Sequence, residues 1–157
     1  MKISFDLDAT LFVSDPALAG PEMYNYVEPY KVDRLRAGAP ELLRRLGEEG
    51  WEIWIYTNSL RPRKALLVWS MHLGMPVKDV INQQIHENAC AERGVLPVEV
   101  APKMPHWFGI DLHVDNSEQI AAAGRAGGFE VCCIASDDPE WAAKVRACAE
   151  EVQRGGQ

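Results

Sequence analysis

A chain of 157 residues with 47% hydrophobic and 25% charged side chains has the size and balance of one soluble globular domain with a single continuous core. The net charge of −7 weighs against a broad surface for a nucleic-acid backbone, which needs clustered Lys and Arg, and leaves room only for a local basic patch. The cysteines Cys90, Cys132, Cys133 and Cys148 show no metal-type spacing. With no leader and no bilayer-length apolar run, a reducing cytoplasmic location without membrane contact is expected.

At the start of the chain Ile3, Phe5 and Leu7 alternate with Ser4 and Asp6, the pattern of a central buried strand. If the extended trace continues past Asp6, side chains at i and i+2 share one side, so Asp6 and Asp8 converge and call for a cation or a shared proton between them. Ligands of open α/β sheets gather beyond the carboxyl ends of strands, and hard oxygen donors there suit Mg²⁺ and phosphate. A polar turn, with Asp8 or Thr10 capping backbone groups, accounts for the same residues without any ligand.

Residues 14–30 mix proline, glycine and tyrosine, which argues for an ordered loop or small hairpin over the strand end, either a lid or a segment packed down by its tyrosines. A helix is expected from Pro40 to Glu49, then a buried strand from Trp51 whose tip delivers Thr57, Asn58 and Ser59 to the edge that holds Asp6 and Asp8. Thr57-Asn58-Ser59 also fits a plain helix cap before Arg61. A helix follows from Arg63 to Leu73, then a short strand Asp79–Asn82 and a short helix from Glu87 to Arg93. Asp111 to Ser117 reads as another strand ending in acid, followed by a helix to Ala126, a strand Phe129–Ala135 and a last helix to about Gln153. Residues 1–153 thus form one domain with a flexible tail at 154–157. Alternating strands and helices with short links indicate an α/β, three-layer Rossmann-like parallel sheet with helices on both faces.

Three strand tips end in related polar groups, Asp6 and Asp8, Thr57-Asn58-Ser59, and Asp115-Asn116, with Lys103 between the second and third. Phosphoryl transfer needs a nucleophile, a proton donor, a cation and metal-binding carboxylates. That set, in that order, resembles the haloacid dehalogenase-like (HAD) phosphatase superfamily over nearly the whole chain, most specifically at Asp6-Leu7-Asp8-Ala9-Thr10-Leu11. The resemblance implies that Asp6 is the nucleophile of a Mg²⁺-dependent phosphatase working through an aspartyl-phosphate, and that Asp8 is its general acid/base. Thr57 and Asn58 would bind the phosphoryl group and Lys103 would neutralise it. The Mg²⁺ would be held by Asp6, Asp8 through its backbone carbonyl, and Asp115.

Two departures stand out. Ala9 replaces a frequent glycine, and Asn116 follows Asp115 where a second carboxylate is common, so weaker metal binding with activity retained is expected; Asp111 lies at the wrong end of its strand to substitute. The intervals hold no inserted domain, which resembles the capless members. An open site admits a phosphorylated protein, or a small phosphate ester enclosed by homodimerisation, with nucleic acid disfavoured by the charge. The alternatives are a non-catalytic binding or scaffolding module on the same fold and a receiver-like domain, against which this sequence has its acids before the first helix and none at the tip of a central third strand. His113 alternates with Leu112 and Val114 and fits a strand residue, while Lys103 and Lys78 also fit solvated surface.

Overall fold

The computed structural model describes residues 1–25 and 32–156. Strand β1 (Lys2–Phe5) leads into a three-stranded antiparallel flap of β2 (Phe12–Val13), β3 (Ala19–Tyr24) and β4 (Asp33–Arg36), ordered β2-β4-β3. Helix α1 (Ala39–Glu48) is followed by β5 (Glu52–Tyr56), α2 (Arg63–His72), β6 (Val77–Ile81) and α3 (Gln83–Glu92). Two 3-10 turns, Pro97–Glu99 and Pro105–Phe108, lead to β7 (Leu112–Asp115), α4 (Glu118–Gly127), β8 (Val131–Cys133) and α5 (Trp141–Gly155).

The central sheet is parallel throughout, in the order β6-β5-β1-β7-β8, so β1 lies in the middle with apolar neighbours on both sides. Its alternation sorts residues cleanly between faces. Ile3 and Phe5 join Ile53, Ile55, Leu112 and Val114 in the main core with Leu43, Leu46, Leu66, Trp69 and Val145 from α1, α2 and α5. Ser4 sits opposite His113 and Trp54 on the other face, where Tyr56, Ile81 and Ile110 form a smaller cluster with Ile85 of α3. Among the described residues no helix is long and apolar enough to cross a membrane.

The expected hairpin over the strand end is present as part of the flap, and Pro21 sits on its edge strand β3, where a missing N–H costs no ladder bond. Residues 26–30 of the expected loop lie outside the described residues. Strand β4 carries Arg36, which is 2% exposed. Its guanidinium donates to the carbonyls of Thr10 (3.2 Å), Ala135 (2.9 Å) and Asp138 (2.9 Å) and lies over the Trp141 ring, tying the flap to the far edge of the sheet. Helix α3 starts four residues before the expected Glu87, because the Asn82 side chain caps it by accepting from Ile85 N at 3.0 Å. Helix α5 runs to Gly155, carrying Arg154 and Gly155.

Candidate active site

The strand tips meet at the carboxyl edge of the sheet. Asp6 N still pairs with Val114 O at 2.9 Å, but the chain then turns: Thr10 N donates to Leu7 O at 3.1 Å and Phe12 N to Leu7 O at 2.7 Å. Strand β1 therefore ends at Phe5, and the extended trace through Asp8 expected from the sequence is not formed. Leu7 goes into the core, Asp6 stays buried, and the Asp8 side chain is 62% exposed. The turn requires a left-handed backbone at Ala9, φ +62°, the one such non-glycine among the described residues.

Lys103 bridges the two remaining acids. Its ammonium donates to Asp6 Oδ1 at 2.8 Å and to Asp115 Oδ2 at 2.6 Å, with the side chain 2% exposed. A lysine is buried this deeply only when paired. It is delivered by the loop between the two 3-10 turns, and the next residue is pinned there: Met104 N donates to the Tyr56 hydroxyl at 3.1 Å, which is also hydrogen-bonded with His86 Nδ1 at 2.6 Å. Burial pushes the Tyr56 phenol up and the His86 imidazole down, so both stay neutral in this link.

Asp115 is held from three sides. Besides Lys103, its Oδ2 faces His113 Nε2 at 2.8 Å and its Oδ1 accepts from Ser117 N at 3.0 Å. Burial lowers the His113 pKa to about 4, so the ring is neutral; the proton sits on Nε2, toward the carboxylate, and Nδ1 accepts from Ser4 Oγ at 2.7 Å. Burial acts to raise Asp115, but the His113 hydrogen bond and the Lys103 charge outweigh it and hold the carboxyl well below the carboxylate range. Asp6 goes the other way. Burial, reinforced by the Asp115 charge and opposed by Lys103, lifts it to about 6.

Asp8 belongs to a second ion cluster. Arg61 grips it with both Nη atoms, at 2.9 and 3.0 Å, and reaches Asp33 of the flap through Nη2 at 2.9 Å. The Arg61 loop is itself anchored to the start of α3, where Asn82 Nδ2 donates to Arg61 O at 3.1 Å and Gln83 N to Ser59 O at 3.0 Å.

A cavity of about 320 Å³ opens between these clusters, lined among others by Asp6, Asp8, Asn58, Lys103, Asp115 and Asn116. Thr57 does not line it; fully buried, its Oγ1 bonds the Ser59 hydroxyl (2.9 Å) and backbone (3.1 Å), and Ser59 lines the cavity instead. Asp111 accepts from Lys2 N at 2.7 Å at the opposite end of β7. Among the described residues no group of three or more His, Cys, Asp or Glu is arranged to hold a metal. The donor chemistry nonetheless fits Mg²⁺: the acids Asp6 and Asp115 outnumber the one ammonium between them, and Asn116 Oδ1, bonded to Thr10 Oγ1 at 3.3 Å, adds a neutral oxygen. Arg61, Ser4, His113 and Tyr56 were not assigned site roles from the sequence. Their only signal was a polar residue within or just beyond an apolar strand.

No family model and no curated protein matches this chain. The solved structure of a predicted HAD-like family hydrolase from Porphyromonas gingivalis is similar, with 14% identity, 93% of this chain and 96% of that one covered, and a TM-score of 0.48. A protein provisionally named 3-deoxy-D-manno-octulosonate 8-phosphate phosphatase, from Vibrio cholerae, has 11% identity, coverage of 97% and 84%, and a TM-score of 0.46. A hypothetical protein from Xanthomonas campestris has 16% identity, coverage of 98% and 85%, and a TM-score of 0.45.

Proposed function

We propose that this chain is a Mg²⁺-dependent phosphatase of the haloacid dehalogenase-like type, hydrolysing phosphomonoesters through an aspartyl-phosphate. The observation that carries the reading is the buried Asp6–Lys103–Asp115 cluster at the carboxyl edge of a parallel sheet, facing a cavity that Asp8 also lines. An Asp6 carboxylate oxygen attacks phosphorus, the ester P–O bond breaks, and the departing alcohol oxygen takes a proton from Asp8, which for this step is protonated on one oxygen and keeps only one of its two bonds from Arg61. Water then gives a proton to Asp8 and attacks the phosphoryl group, breaking the P–O bond to Asp6 and releasing phosphate. In this reading Lys103 offsets charge on the phosphoryl oxygens and Asn58 and Ser59 donate hydrogen bonds to them; all three line the cavity. Asp6, Asp115 and the Asp8 backbone carbonyl would hold Mg²⁺, which when bound supplies charge neutralisation for the phosphate.

The test is release of phosphate from p-nitrophenyl phosphate with and without Mg²⁺. Mg²⁺-dependent turnover that falls at least about a thousandfold in Asp6→Asn is expected. Turnover without divalent metal, or full activity in Asp6→Asn, overturns the reading.

A further inference from the structure

A second cleft adjoins the candidate active site. It encloses about 240 Å³ and is lined by Asn58, Gln83, Glu87, Pro97, Val98 and Pro102, with the edge of His86. Asn58 and Pro102 line the catalytic cavity as well, so the two spaces meet across these residues. A leaving group extending from a phosphorus atom near Asp6 has this direction available to it.

The walls are chemically one-sided. Pro97, Val98 and Pro102 form an apolar surface, and Val98 is 89% exposed. Opposite them α3 presents Gln83 and Glu87 one turn apart, with Gln83 Nε2 donating to Glu87 Oε1 at 3.0 Å. That bond engages Oε1, and Oε2 accepts no hydrogen bond among the described residues. The His86 ring nitrogens are engaged elsewhere, Nδ1 with the Tyr56 hydroxyl at 2.6 Å and Nε2 with Cys90 Sγ at 3.7 Å, so neither is offered to an occupant of the cleft. Among the described residues no Lys or Arg lines the cleft. The cleft is open to solvent along Val98, and its volume suits one small unit seated beside the catalytic cavity.

We propose that this cleft is the leaving-group subsite and that Glu87 is its specificity-determining residue, selecting phosphate esters of small hydroxyl- or amine-bearing alcohols over esters whose alcohol carries a second anion. The proposal rests on the phosphatase reading. An ammonium or hydroxyl on the alcohol donates to Glu87 Oε2 and the Asn58 amide, its carbon skeleton packs on Pro97 and Val98, and a carboxylate in the same place meets a fixed negative charge with no compensating cation.

The experiment compares kcat/KM for three size-matched esters, glucosamine 6-phosphate, glucose 6-phosphate and 6-phosphogluconate, with p-nitrophenyl phosphate as the reference ester. The amine ester is expected to exceed the acid ester by about tenfold or more in the native protein. The ratio should fall about fivefold in Glu87→Gln, the scale of one partly exposed charge pair, and invert in Glu87→Lys. Because Val98 is exposed, Val98→Glu is a second variant that folds, and it should raise the ratio further. Turnover of p-nitrophenyl phosphate with a ratio unmoved within twofold by all three substitutions overturns the subsite alone. Failure to turn over p-nitrophenyl phosphate under any metal condition overturns the phosphatase reading and the subsite with it.

Discussion

Lys103→Met keeps the length and apolar stem of the side chain and removes only the ammonium between Asp6 and Asp115. At an effective dielectric near 20, contacts of 2.8 and 2.6 Å represent about 6 kcal/mol of attraction each before desolvation is counted. Most of that offsets the cost of burying three charges. Deleting one member of a buried ionic cluster strands the others, and the net loss is about 3–5 kcal/mol, a large share of the ~5–15 kcal/mol available to a domain of this size. The loss should depend on pH in a defined direction. Asp6 is already lifted from its ordinary 3.8 to about 6, and without Lys103 it rises further. A carboxyl with a raised folded pKa binds its proton better in the native state, so the penalty is full above the folded pKa and disappears as pH falls through it. Urea unfolding of both proteins at pH 8 and pH 5 checks this. A stability loss of several kcal/mol at pH 8 that shrinks by at least half at pH 5, and that Asp6→Asn partly repairs in the double variant, is expected. A loss under 1 kcal/mol at pH 8, or one that does not shrink at pH 5, refutes the reasoning.

Ala9→Gly removes the cost of a left-handed alanine, about 1–2 kcal/mol, against the ~0.5–1 kcal/mol of extra chain entropy of glycine. Thermal unfolding should show an unchanged or slightly raised Tm, and a clear fall would show that the backbone there is unstrained. Arg61→Met frees Asp8 and Asp33 together; kcat on p-nitrophenyl phosphate should drop about tenfold or more, and Arg61→Lys should restore little because an ammonium cannot reproduce the fork that holds Asp8 with both Nη atoms. Wild-type kcat in Arg61→Met would dissociate Arg61 from the positioning of Asp8.

The period-two alternation of Ile3, Phe5 and Leu7 made the central strand legible, and the small polar groups after Tyr56 and Val114 marked the edge where the site forms. Asp6, Asp115 and Lys103 were legible as candidates; their contact was not, because nothing local to Lys103 distinguishes a lysine at a sheet edge from a solvated one. Strand β4 escaped notice for a related reason. Asp33-Arg34-Leu35-Arg36 reads as surface, yet Arg36 is buried by three carbonyls and Trp141, every one of them at least 26 residues away in sequence. Thr57 and Asp8 lie beyond the ends of β5 and β1, but their side-chain directions follow from the turn after Asp6 and from Arg61, which are tertiary facts. Local pattern reports which element a residue is on; the direction of a charged side chain is decided by partners distant in sequence.

The cavity is bounded by two clusters of the same composition. Asp6, Asp115 and Lys103 form one and Asp8, Asp33 and Arg61 the other, each leaving one negative charge once Asp6 is ionised. Their exposures differ: the first is buried and its charges are weakly screened, while Asp8 in the second faces solvent. A phosphate dianion entering alone meets a net repulsive rim despite Lys103, whose ammonium is already shared by two carboxylates. A divalent cation reverses that balance, so phosphate binding is predicted to be conditional on metal. Calorimetric titration with inorganic phosphate should give at least about tenfold tighter binding in Mg²⁺ than in chelator, and Mg²⁺ alone should raise the Tm through binding to the folded state. Equal phosphate affinity in the two conditions would mean that Lys103 disengages from its carboxylates to take the anion by itself, and the electrostatic account of this edge would fail.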